Sequence, residues 1–514
     1  MKLSIRKEAL FIIKILQDKG FDAYLVGGAV RDIIIASKQK LDPSQAIKDY
    51  DFTTNATPEE IQQLLADSFY ENEFGTVAIT HEELLKQMGL NSSEAILPKP
   101  HQPPKNKIIN LANATKIHES LGTPEEIQQS ESQIDWLPDF EITTYRSDEV
   151  YTDFRRPDPK KLTWGKTIQE DLKRRDFAIN AMALKHLKDD DFELIDPFNG
   201  IEDLDQSLVR TVNEPTDRFQ EDALRMLRAI RLAVQLNFQI NDQTFEAIIA
   251  HAELITKISW ERISDEFLKI LASEYPAEGI SLLDEAGLLK FILPELVECK
   301  GVEQGGHHNT DVWTHSLDAL KECPNPDPIV RLATLLHDIA KPQTFEIRNN
   351  KITFYNHEIV GSRIADKIAK RLKFSKNQRQ RLFILVRQHM FYYQSKNSDA
   401  SIRRFMRRVS LENIDDILDL READRLGSGA RKTSWRLEEM KQRMIEQLNQ
   451  PMQVTDLAIN GHDLMTEFDK KPGSWLGEIL EELLEKVLDK PELNTKEKLI
   501  ELSRKFFSQI IPQQ

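Results

Sequence analysis

Two aspartates stand one residue apart in an apolar context, and their types and spacing could do chemistry. They are Asp49 and Asp51 of the stretch "KDYDF". In a β-strand alternate side chains share a face, so both carboxylates would point together while Tyr50 and Phe52 pack behind them. Such a pair repels itself unless a hard cation lies between, and Mg²⁺ accepts carboxylate and phosphate oxygens readily. The spacing therefore predicts a Mg²⁺ site at Asp49 and Asp51.

Further groups of matching chemistry flank this pair. A third carboxylate, Glu141, lies in the β-rich run "DFEITTYR". Two metal ions held by such a set can activate an attacking hydroxyl and hold a leaving pyrophosphate. Gly27 and Gly28 of "LVGGAVRD" would let a backbone turn approach a triphosphate, with helix N–H groups and Arg31 adding positive charge. Each feature alone is common in turns, but their order predicts nucleotidyl transfer.

These groups must be positioned by a mixed α/β head. Residues 6 to 19 have the pattern of an amphipathic helix, and "AYLVGG" predicts a buried strand that enters a turn. "TPEEIQQLLAD" carries a capping box, with Thr57 as the N-cap and Glu60 three residues later. The β-rich runs at residues 75 to 80 and 139 to 146 are predicted neighbours.

The rest of the chain divides into an irregular stretch and a helical body. Residues 81 to 135 contain "PKPHQPPKNK" and a Gln, Ser and Glu-rich run, which predicts an inserted, largely mobile excursion. From about residue 216 onward the apolar pattern is helical nearly throughout, and strand-like runs are rare. The predicted fold class is α+β, a mixed-sheet head followed by a long helical body.

Length and composition exclude several classes of protein. A chain of 514 residues is longer than one hydrophobic core usually organises, so several domains are expected. Its content of 40% hydrophobic and 30% charged residues is typical of folded, globular proteins. Neither a signal peptide nor a membrane span is predicted, because no apolar run reaches the required length and the start lacks a cleavage site. Cys299 and Cys323 form no CxxC pair, which favours a reducing, cytoplasmic compartment.

The net charge of −15 would argue against a polyanionic partner, but it is unevenly distributed. Residues 363 to 408 carry fourteen Lys and Arg against two Asp, a local net charge of +12. Two interpretations stay open for this basic segment: a solvated helical face, or contact with RNA phosphates.

Six motifs in the first half of the chain follow one another in a recognisable order. They are "LVGGAVRD", "KDYDF", "FEITTYR", "EDLKRRDFAINAMAL", "DPFNGIEDL" and "RFQEDALRMLRAIR". With them, residues 20 to 270 outside the insertion resemble the class II tRNA nucleotidyltransferase family, which includes CCA-adding enzymes and bacterial poly(A) polymerases. The resemblance implies a polymerase-β-like nucleotidyltransferase head at residues 1 to 200 and a helical, nucleotide-selecting neck at residues 201 to 300.

The resemblance also implies roles for individual residues. Asp49 and Asp51 would hold Mg²⁺ with Glu141 as the third catalytic acid. Contacts to the incoming nucleotide are implied for Gly28, Arg31, Arg175, Asp176 and Asn180, beside the glycine turn at Gly27. Arg262 and Glu266 of "ERISDEFLK" would brace the pocket, although helix-surface ion pairing at this spacing is the alternative.

Nucleotide choice can be argued from "EDALRMLRAIR". Asp222 and Arg225 are three residues apart on a predicted helix and would be neighbours. Cytosine and adenine both present an amino donor beside a ring-nitrogen acceptor, which an acceptor and a donor side chain fit together. Arg228 and Arg231 continue this ridge and would face the triphosphate. The pattern "YTDFRRP" after the third acid is a loop that family members adding only CC mostly lack, so adenine addition is expected to be retained.

A second set of chemical residues lies on successive predicted helices of the body. Its members are His315, His337, Asp338, His357, His389 and Asp424. A lone histidine is more often a satisfied surface or core residue than a ligand. The adjacent His-Asp pair with the flanking residues resembles the metal-dependent HD phosphohydrolase domain, over residues 305 to 430. Imidazole and carboxylate ligands suit a transition metal such as Mn²⁺, Ni²⁺ or Fe²⁺. A vestigial fold kept for packing is the alternative.

The last segment, residues 431 to 514, is a predicted helical tail. Its "GHDLM" and "LNTKEKLI" portions are similar to the family's tRNA-gripping tail, and a plain capping hairpin is the alternative. The whole resemblance implies a CCA-adding tRNA nucleotidyltransferase with tRNA, CTP and ATP as partners and no membrane. A poly(A) polymerase or an A-adding enzyme would share the head motifs. An RNA-binding HD phosphohydrolase with an inactive head is a rival against which the intact Asp49, Asp51 and Asp222 argue.

Overall fold

The computed structural model describes residues 1–47, 49–72, 75–90, 140–147, 164–305, 310–432 and 434–510. The described chain forms two compact units. The head unit contains the described residues up to Val297, and the body unit begins at Glu298. The finer boundaries expected within each unit stay predictions.

In the described part of the head unit, seven strands form one sheet in the order β3-β4-β5-β2-β1-β6-β7. Their bounds are β1 Ala23–Val26, β2 Asp51–Thr54, β3 Phe69–Asn72, β4 Thr76–Ile79, β5 Phe140–Thr144, β6 Ala183–Lys188 and β7 Asp191–Ile195. β2 and β5 run parallel, and the other neighbours in the sheet are antiparallel. The predicted contact between residues 75 to 80 and 139 to 146 is confirmed, because β4 pairs with β5.

Helices of the head unit cover the sheet and continue into its second half. They are α1 Lys7–Asp18, α2 Gly28–Lys38, α3 Pro43–Ala46, α4 Pro58–Leu64, α5 His81–Gln87, α6 Ile168–Lys173, α7 Gly200–Gln206, α8 Pro215–Glu221, α9 Leu224–Leu236, α10 Asp242–His251, α11 Trp260–Leu271, α12 Pro276–Glu285, α13 Leu289–Ile292 and α14 Pro294–Val297. A short parallel pair, β8 Leu208–Val209 and β9 Gln239–Ile240, lies among them. α4 begins at the predicted capping box, since Thr57 accepts from the Glu60 N–H and Glu60 accepts from the Thr57 N–H.

α5 lies inside the stretch expected to lack core elements. Thr80 caps this helix, Leu84 is fully buried, and the exposed fraction of Leu85 is 3%. His81 is buried as well, with Nδ1 3.1 Å from Arg6 Nη2 and its ring stacked on Phe140. The prediction of a mobile excursion from residue 81 is therefore wrong over α5, because the Thr80 cap and the burial of Leu84 and Leu85 stabilise this short helix against the head unit. The remainder, residues 91 to 135, lies outside the described residues.

The body unit is helical apart from one hairpin in its described part. Its helices are α15 Val312–Lys321, α16 Pro328–Leu336, α17 Lys341–Thr344, α18 His357–Arg371, α19 Lys376–Gln388, α20 Asp399–Val409, α21 Ile414–Gly427, α22 Trp435–Gln447, α23 Gly461–Phe468, α24 Ser474–Asp489 and α25 Lys496–Ile510. The hairpin is β10 Glu346–Arg348 with β11 Lys351–Thr353. None of the described helices is long and apolar enough to cross a bilayer.

Much of the basic segment, residues 363 to 408, is occupied by ion pairs between helices. On α20, Arg404 and Arg407 bind Glu485 of α24 at 2.9 and 3.0 Å. Arg381 on α19 binds Asp327 and Asp416 at 2.8 and 2.7 Å. These arginines join helices of the body, so the local charge of the sequence overstates the positive charge available to a partner.

Candidate active site

The sheet brings two of the three predicted acids side by side. Asp51 at the start of β2 pairs directly with Glu141 of β5, and Val26 of β1 lies on its other side. Burial alternates before the strand, since Tyr50 is buried whereas Asp49 is exposed and Asp51 is partly exposed. Both aspartates therefore turn away from the core that holds the intervening tyrosine, as their spacing predicted.

The glycine turn lies against these acids. Gly27 joins β1 to α2 with φ of +70°, a conformation that favours glycine. A Cβ at Gly27 would stand 3.0 Å from Arg175 Nη1 and 3.3 Å from Asp51 Oδ2. The turn thus requires glycine for its backbone conformation and for space, and it brings a guanidinium and a carboxylate together beside the first turn of α2.

Two of the predicted nucleotide contacts bind each other. Arg31 Nη1 donates to Asn180 Oδ1 at 2.9 Å, and its Nε donates to Asp32 Oδ1 at 2.7 Å. The guanidinium is held by two partners on its own helix and on the segment after α6. A side chain fixed in this way is prepared to present its remaining donors to a phosphate.

Asp171 holds the arginine pair that follows it. It is fully buried and binds Arg174 at 2.7 Å and Arg175 at 3.2 Å. Burial would raise the pKa of Asp171, but Arg174 and Arg175 outweigh burial and lower that pKa below its ordinary value. Asp171 was not among the predicted site residues, although the carboxylate and the arginines three and four residues after it in "EDLKRRD" are a signal for such a group.

Asp176 links the turn after α6 to α9. It is buried, accepts from the Phe177 N–H at 2.9 Å, and binds Arg228 Nε at 2.7 Å. Burial would raise the pKa of Asp176, but Arg228 and Arg225 outweigh burial and lower it. One turn further along α9, Arg231 Nε lies 3.2 Å from Glu266 of α11. The structure therefore brings the predicted α9 ridge against acidic groups of its own unit.

The structure separates Asp222 from the helix on which it was predicted. α8 ends at Glu221 and α9 begins at Leu224, so Asp222 lies between them with φ of −148°. Its Oδ1 accepts from the Leu224 N–H at 3.1 Å, and its Oδ2 accepts from Arg262 Nη2 at 2.5 Å. The expectation that one continuous helix carries Asp222 is wrong, because the chain is extended at Asp222 and its side chain accepts from the first N–H of α9.

Arg225 is engaged elsewhere. Its Nη1 donates to Glu221 Oε2 at 2.5 Å, and its Nη2 donates to the Arg174 carbonyl at 3.0 Å. The predicted pair of Asp222 and Arg225 is thus divided between different partners, and Arg262 is the arginine that binds Asp222. Arg262 and Glu266 pair with Asp222 and Arg231 rather than with each other.

A second candidate site lies wholly in the body unit. All six predicted residues come together, and we call them the His/Asp cluster: His315, His337, Asp338, His357, His389 and Asp424. They form two groups of three potential ligands, each with its ligand atoms within 4.8 Å of one another. One group contains His315, His337 and Asp424, and the other contains Asp338, His357 and His389.

Asp338 reaches both groups. Its Oδ2 lies 3.1 Å from His337 Nε2, and its Oδ1 lies 3.3 Å from His357 Nε2. The Nε2 atoms of His315 and His337 are 3.1 Å apart, and those of His357 and His389 are 3.2 Å apart. Lone pairs that face each other so closely require a proton or a cation between them.

The backbone fixes the ring orientation of three of these histidines. The Nδ1 atoms of His337, His357 and His389 lie 2.6, 2.8 and 2.8 Å from the carbonyls of Thr334, Phe354 and Val386. A carbonyl can only accept, so each Nδ1 carries a proton and each Nε2 faces the cluster, where it can hold a second proton or bind a metal ion. Burial, helped by the charge of His337, lowers the pKa of His389 to about 3 and keeps that ring neutral.

Two cations that the sequence analysis missed support the carboxylates. The buried Lys341 binds Asp338 Oδ2 at 2.6 Å and Gln304 Oε1 at 2.5 Å. Arg421 Nη1 binds Asp424 Oδ2 at 2.7 Å. Burial would raise the pKa of Asp338, but His337 and Lys341 hold it well below its ordinary value. The three-residue spacings of these cations from their carboxylates are the signal that was available.

The His/Asp cluster opens into a cavity of about 600 Å³. One wall comes from the β10–β11 hairpin and the residues after it, including Ile352 and Tyr355, and another from Met390, Arg421 and Arg425. A mixed set of imidazoles and carboxylates fits a transition metal, whereas the oxygen-only set of Asp49, Asp51 and Glu141 fits a hard cation such as Mg²⁺. The two units therefore offer donor sets of different chemistry.

Comparisons with known proteins cover nearly the whole chain. Residues 23–93 and 103–210 match the family described as "Poly A polymerase head domain". Residues 237–299 match the "Probable RNA and SrmB-binding site of polymerase A", and residues 353–502 match "tRNA nucleotidyltransferase domain 2". The head match includes most of the predicted insertion and leaves out residues 94 to 102.

Individual relatives agree with these matches. The A-adding tRNA nucleotidyltransferase of Deinococcus radiodurans is 35% identical over 333 residues, which cover 62% of this chain and 75% of the relative. The CCA-adding enzyme of Ligilactobacillus salivarius is 29% identical over 514 residues, covering 98% of this chain and 97% of the relative. In fold, the chain is similar to the Bacillus stearothermophilus CCA-adding enzyme in complex with CTP, with a TM-score of 0.60, 22% identity and 98% of each chain covered. With Asp51 and Glu141 side by side at the glycine turn of the head unit, and with a relative 35% identical over 75% of its length, the chain is a nucleotidyltransferase and belongs to the tRNA nucleotidyltransferase and poly(A) polymerase family.

Proposed function

We propose that the head unit adds C, C and A to the 3′ end of tRNA, with CTP and ATP as substrates and pyrophosphate as product. The observation that carries this proposal is the position of Asp51 beside Glu141, at a glycine turn that also meets Arg175. Carboxylates for metal ions and donors for a triphosphate are the two requirements of nucleotidyl transfer, and both occur in one place.

The reaction exchanges the anhydride bond of the α-phosphorus for an ester bond. The terminal ribose hydroxyl of the RNA gives its proton to solvent and its oxygen bonds to the α-phosphorus, while the bond from that phosphorus to the bridging oxygen breaks and releases pyrophosphate. Asp49, Asp51 and Glu141 would hold Mg²⁺, which when bound supplies positive charge for the attacking and leaving oxygens. Arg31 and Arg175 would orient the triphosphate, together with the N–H groups at the start of α2.

Selection of C and A would rest on Asp222 as the acceptor for the exocyclic amino group. Guanine and uracil present a carbonyl at that position and would leave the carboxylate unpaired. Two arginines could supply the donor for the ring nitrogen. Arg262 already binds Asp222, whereas Arg225 would first have to leave Glu221.

An enzyme that adds only A is the nearest rival, because the relative from Deinococcus radiodurans has that activity in its name. Matches along 97% and 96% of the length of CCA-adding relatives favour addition of all three nucleotides. The test uses three tRNAs that lack CCA, lack only A, or are complete, each with labelled CTP or ATP alone. A CCA-adding enzyme extends the first with CTP and the second with ATP, whereas an A-adding enzyme leaves the first unextended.

The tail would contact the tRNA. Its two family-like portions meet, since Asp463 of α23 binds Lys496 of α25 at 2.7 Å and Asn494 accepts from the Ala458 N–H. The tail also has its own apolar core, which includes Leu464, Trp475 and Leu483.

A tRNA substrate and two buried, free cysteines accord with a cytoplasmic enzyme.

We also propose a phosphohydrolase activity for the body unit, as an HD domain. The observation that favours it is the convergence of six potential ligands, five of which line one cavity, with three of the imidazole rings oriented by backbone carbonyls. The cluster would hold Mn²⁺, Ni²⁺ or Fe²⁺, which when bound supplies a Lewis acid for phosphate chemistry. The substrate would be a 2′,3′-cyclic phosphate at an RNA end, where water adds across one P–O bond of the ring and leaves a phosphomonoester and a free hydroxyl.

This second activity can be tested without the first. Metal-free protein is loaded with Ni²⁺ or Mn²⁺ and given a 2′,3′-cyclic nucleotide, and ring opening is followed by chromatography. Hydrolysis that requires the added metal and stops with a chelator is expected. Absence of hydrolysis with every metal and with both cyclic and monoester substrates would leave the cluster as a packing element.

A further inference from the structure

Large aromatic side chains are exposed beside the His/Asp cluster. Tyr392 is 71% exposed and Trp435 is 65% exposed, although both lie in a helical unit with a well-filled core. With Phe391 and Tyr393 they line a cavity of about 220 Å³, which we call the aromatic cavity. Isolated exposed apolar residues need no explanation, but two large exposed aromatic side chains at the same cavity, with Phe391 partly buried and Tyr393 buried beside them, indicate a binding surface.

The aromatic cavity is connected to the metal-ligand cluster through arginines. Arg421 and Arg425 line both this cavity and the larger one that contains the His/Asp cluster. Arg421 binds Asp424 of the cluster at 2.7 Å, and its guanidinium carbon lies 5.8 Å from the centre of the Phe391 ring. A single side chain therefore spans from a potential metal ligand to the aromatic wall.

The charge of the aromatic cavity suits a nucleotide. Arg436 adds a third guanidinium, stacked 5.3 Å above the Trp435 ring. Aromatic rings beside arginines are the surfaces on which nucleobases stack, because every base has a π-face and a phosphate on the same molecule can reach the cations. A ligand without a base would leave Tyr392 and Trp435 unused.

We propose that the aromatic cavity is the nucleobase subsite of the body unit, so that a phosphate at the His/Asp cluster belongs to a nucleotide whose base stacks on Tyr392 and Trp435. This inference rests on the proposed phosphohydrolase function and names its substrate class. The ligand chemistry is a nucleoside with a 2′,3′-cyclic phosphate, which a free nucleotide and an RNA 3′ end both provide.

The test compares substrates with and without a base. They are adenosine 2′,3′-cyclic phosphate, a short RNA ending in a 2′,3′-cyclic phosphate, and glycerol 1,2-cyclic phosphate. The double variant Tyr392→Ala with Trp435→Ala should raise KM for one or both base-containing substrates about tenfold and leave kcat within about twofold. The rate with the glycerol compound should be unchanged. The substrate whose KM rises identifies the source of the nucleotide.

Two variants serve as controls. Tyr392→Phe with Trp435→Phe keeps aromatic faces and should restore most of the affinity for the base-containing substrates. Phe383→Ala removes an aromatic side chain of α19 that is 37% exposed and lines neither cavity, and it should change no KM. Equal effects of the alanine double variant on all three substrates would overturn the proposal, because a base-specific subsite cannot act on glycerol.

A binding measurement separates this proposal from the hydrolytic function itself. Adenosine 2′,3′-cyclic phosphate should quench the fluorescence of the full-length protein, and Trp435→Phe should remove that quenching. If no metal supports hydrolysis but the Trp435-dependent quenching persists, the subsite stands and the phosphohydrolase function fails. If Trp435→Phe leaves the quenching unchanged, the subsite is wrong whatever the hydrolysis assays show.

Discussion

At the scale of single residues, the head site is a set of charged groups that neutralise one another. Asp171 holds Arg174 and Arg175, Asp176 holds Arg228, and Asp222 holds Arg262. Fixed pairs of this kind give a substrate phosphate or base a prepared set of donors and acceptors, since little reorganisation remains to be done on binding.

The first prediction concerns the acids. Asp49→Ala or Asp51→Ala should lower CTP and ATP incorporation by about a thousandfold or more, because the change removes oxygen ligands of Mg²⁺. Binding of tRNA, followed by gel shift, should be largely retained. Asp67→Asn, at an exposed carboxylate of the same unit, is the matched control and should be active. Unchanged incorporation in either alanine variant would contradict the assignment.

A second prediction concerns nucleotide choice. Asp222→Ala should permit misincorporation of UTP or GTP more than it raises KM for CTP, because base contacts and phosphate contacts are separate. If Arg262 supplies the second base contact, Arg262→Ala should give the same misincorporation. Arg225→Ala should instead lower the free energy of unfolding by about 2 kcal/mol, because Glu221 is left with Arg218 as a donor and the partly buried Arg174 carbonyl loses the Arg225 donor. If Arg225→Ala permits misincorporation and Arg262→Ala does not, the donor to the ring nitrogen of the base is Arg225 rather than Arg262.

A third prediction concerns pH. The pKa of Asp171 in the folded state lies below its ordinary value of 3.8, so its stabilising effect is complete at neutral pH and is lost as pH falls below about 4. Asp171→Asn should cost about 3 kcal/mol at pH 7, and the difference from the wild type should shrink towards pH 3. Urea unfolding at several pH values measures this, with the exposed Asp205→Asn as control. A difference that stays constant with pH would show that the carboxylate charge contributes nothing.

At the scale of elements, sequence patterns succeeded wherever the cause of structure is local. The capping box at Thr57, the buried strand at residues 23 to 26 and the alternation around Tyr50 all depend on near neighbours in the chain. The break at Asp222 was missed, because "RFQEDALRMLRAIR" keeps a helical apolar period on both sides of it. The break depends on contacts of the Asp222 side chain with the distant Arg262 and with the Leu224 N–H, which the apolar period does not report.

The same limit explains the candidate sites. All six members of the His/Asp cluster could be predicted from their types, because few other arrangements need a His-Asp pair among further histidines. Their division into two groups around Asp338 could not, since it depends on the angles between helices. The aromatic cavity was also missed, because Tyr392 and Trp435 lie far apart in sequence and neither belongs to a recognisable motif.

A fourth prediction concerns α5 and the stretch after it. Deletion of residues 85 to 130 should destabilise the head unit, because it removes the buried Leu85. Leu85→Ala should lower the free energy of unfolding by about 2 to 4 kcal/mol, whereas Lys86→Ala, at an exposed position, should change it by less than about 0.5 kcal/mol. Deletion of residues 91 to 130, which lack core periodicity, should leave nucleotide addition measurable. Loss of folding in that deletion would show that the stretch is structural.

At the scale of the whole molecule, the two candidate sites belong to different compact units. Their donor sets differ, since one consists of carboxylates and the other is built mainly of imidazoles. Each site is completed by residues of its own unit. The two activities proposed for the chain would therefore share no side chain.

The fifth prediction follows from this separation. The double variant His337→Ala with Asp338→Ala should remove metal-stimulated hydrolysis and spare CTP and ATP incorporation. Because both residues are buried, His337→Asn with Asp338→Asn provides a variant of similar volume, and thermal unfolding checks that each variant is folded. Loss of nucleotide addition in a folded variant would contradict two independent sites.

The position of β5 has a consequence for how activity first appears in a newly made chain. β5 lies between β2 and β4, which are both synthesised earlier, and it carries Glu141 to the side of Asp51. The strand that joins the two halves of the sheet is therefore the strand that completes the acidic set. A nascent chain that ends before β5 has neither a continuous sheet nor a complete site, so catalysis cannot precede folding. Recovery of nucleotide addition after denaturation would then report the closure of this sheet, with one rate for both events.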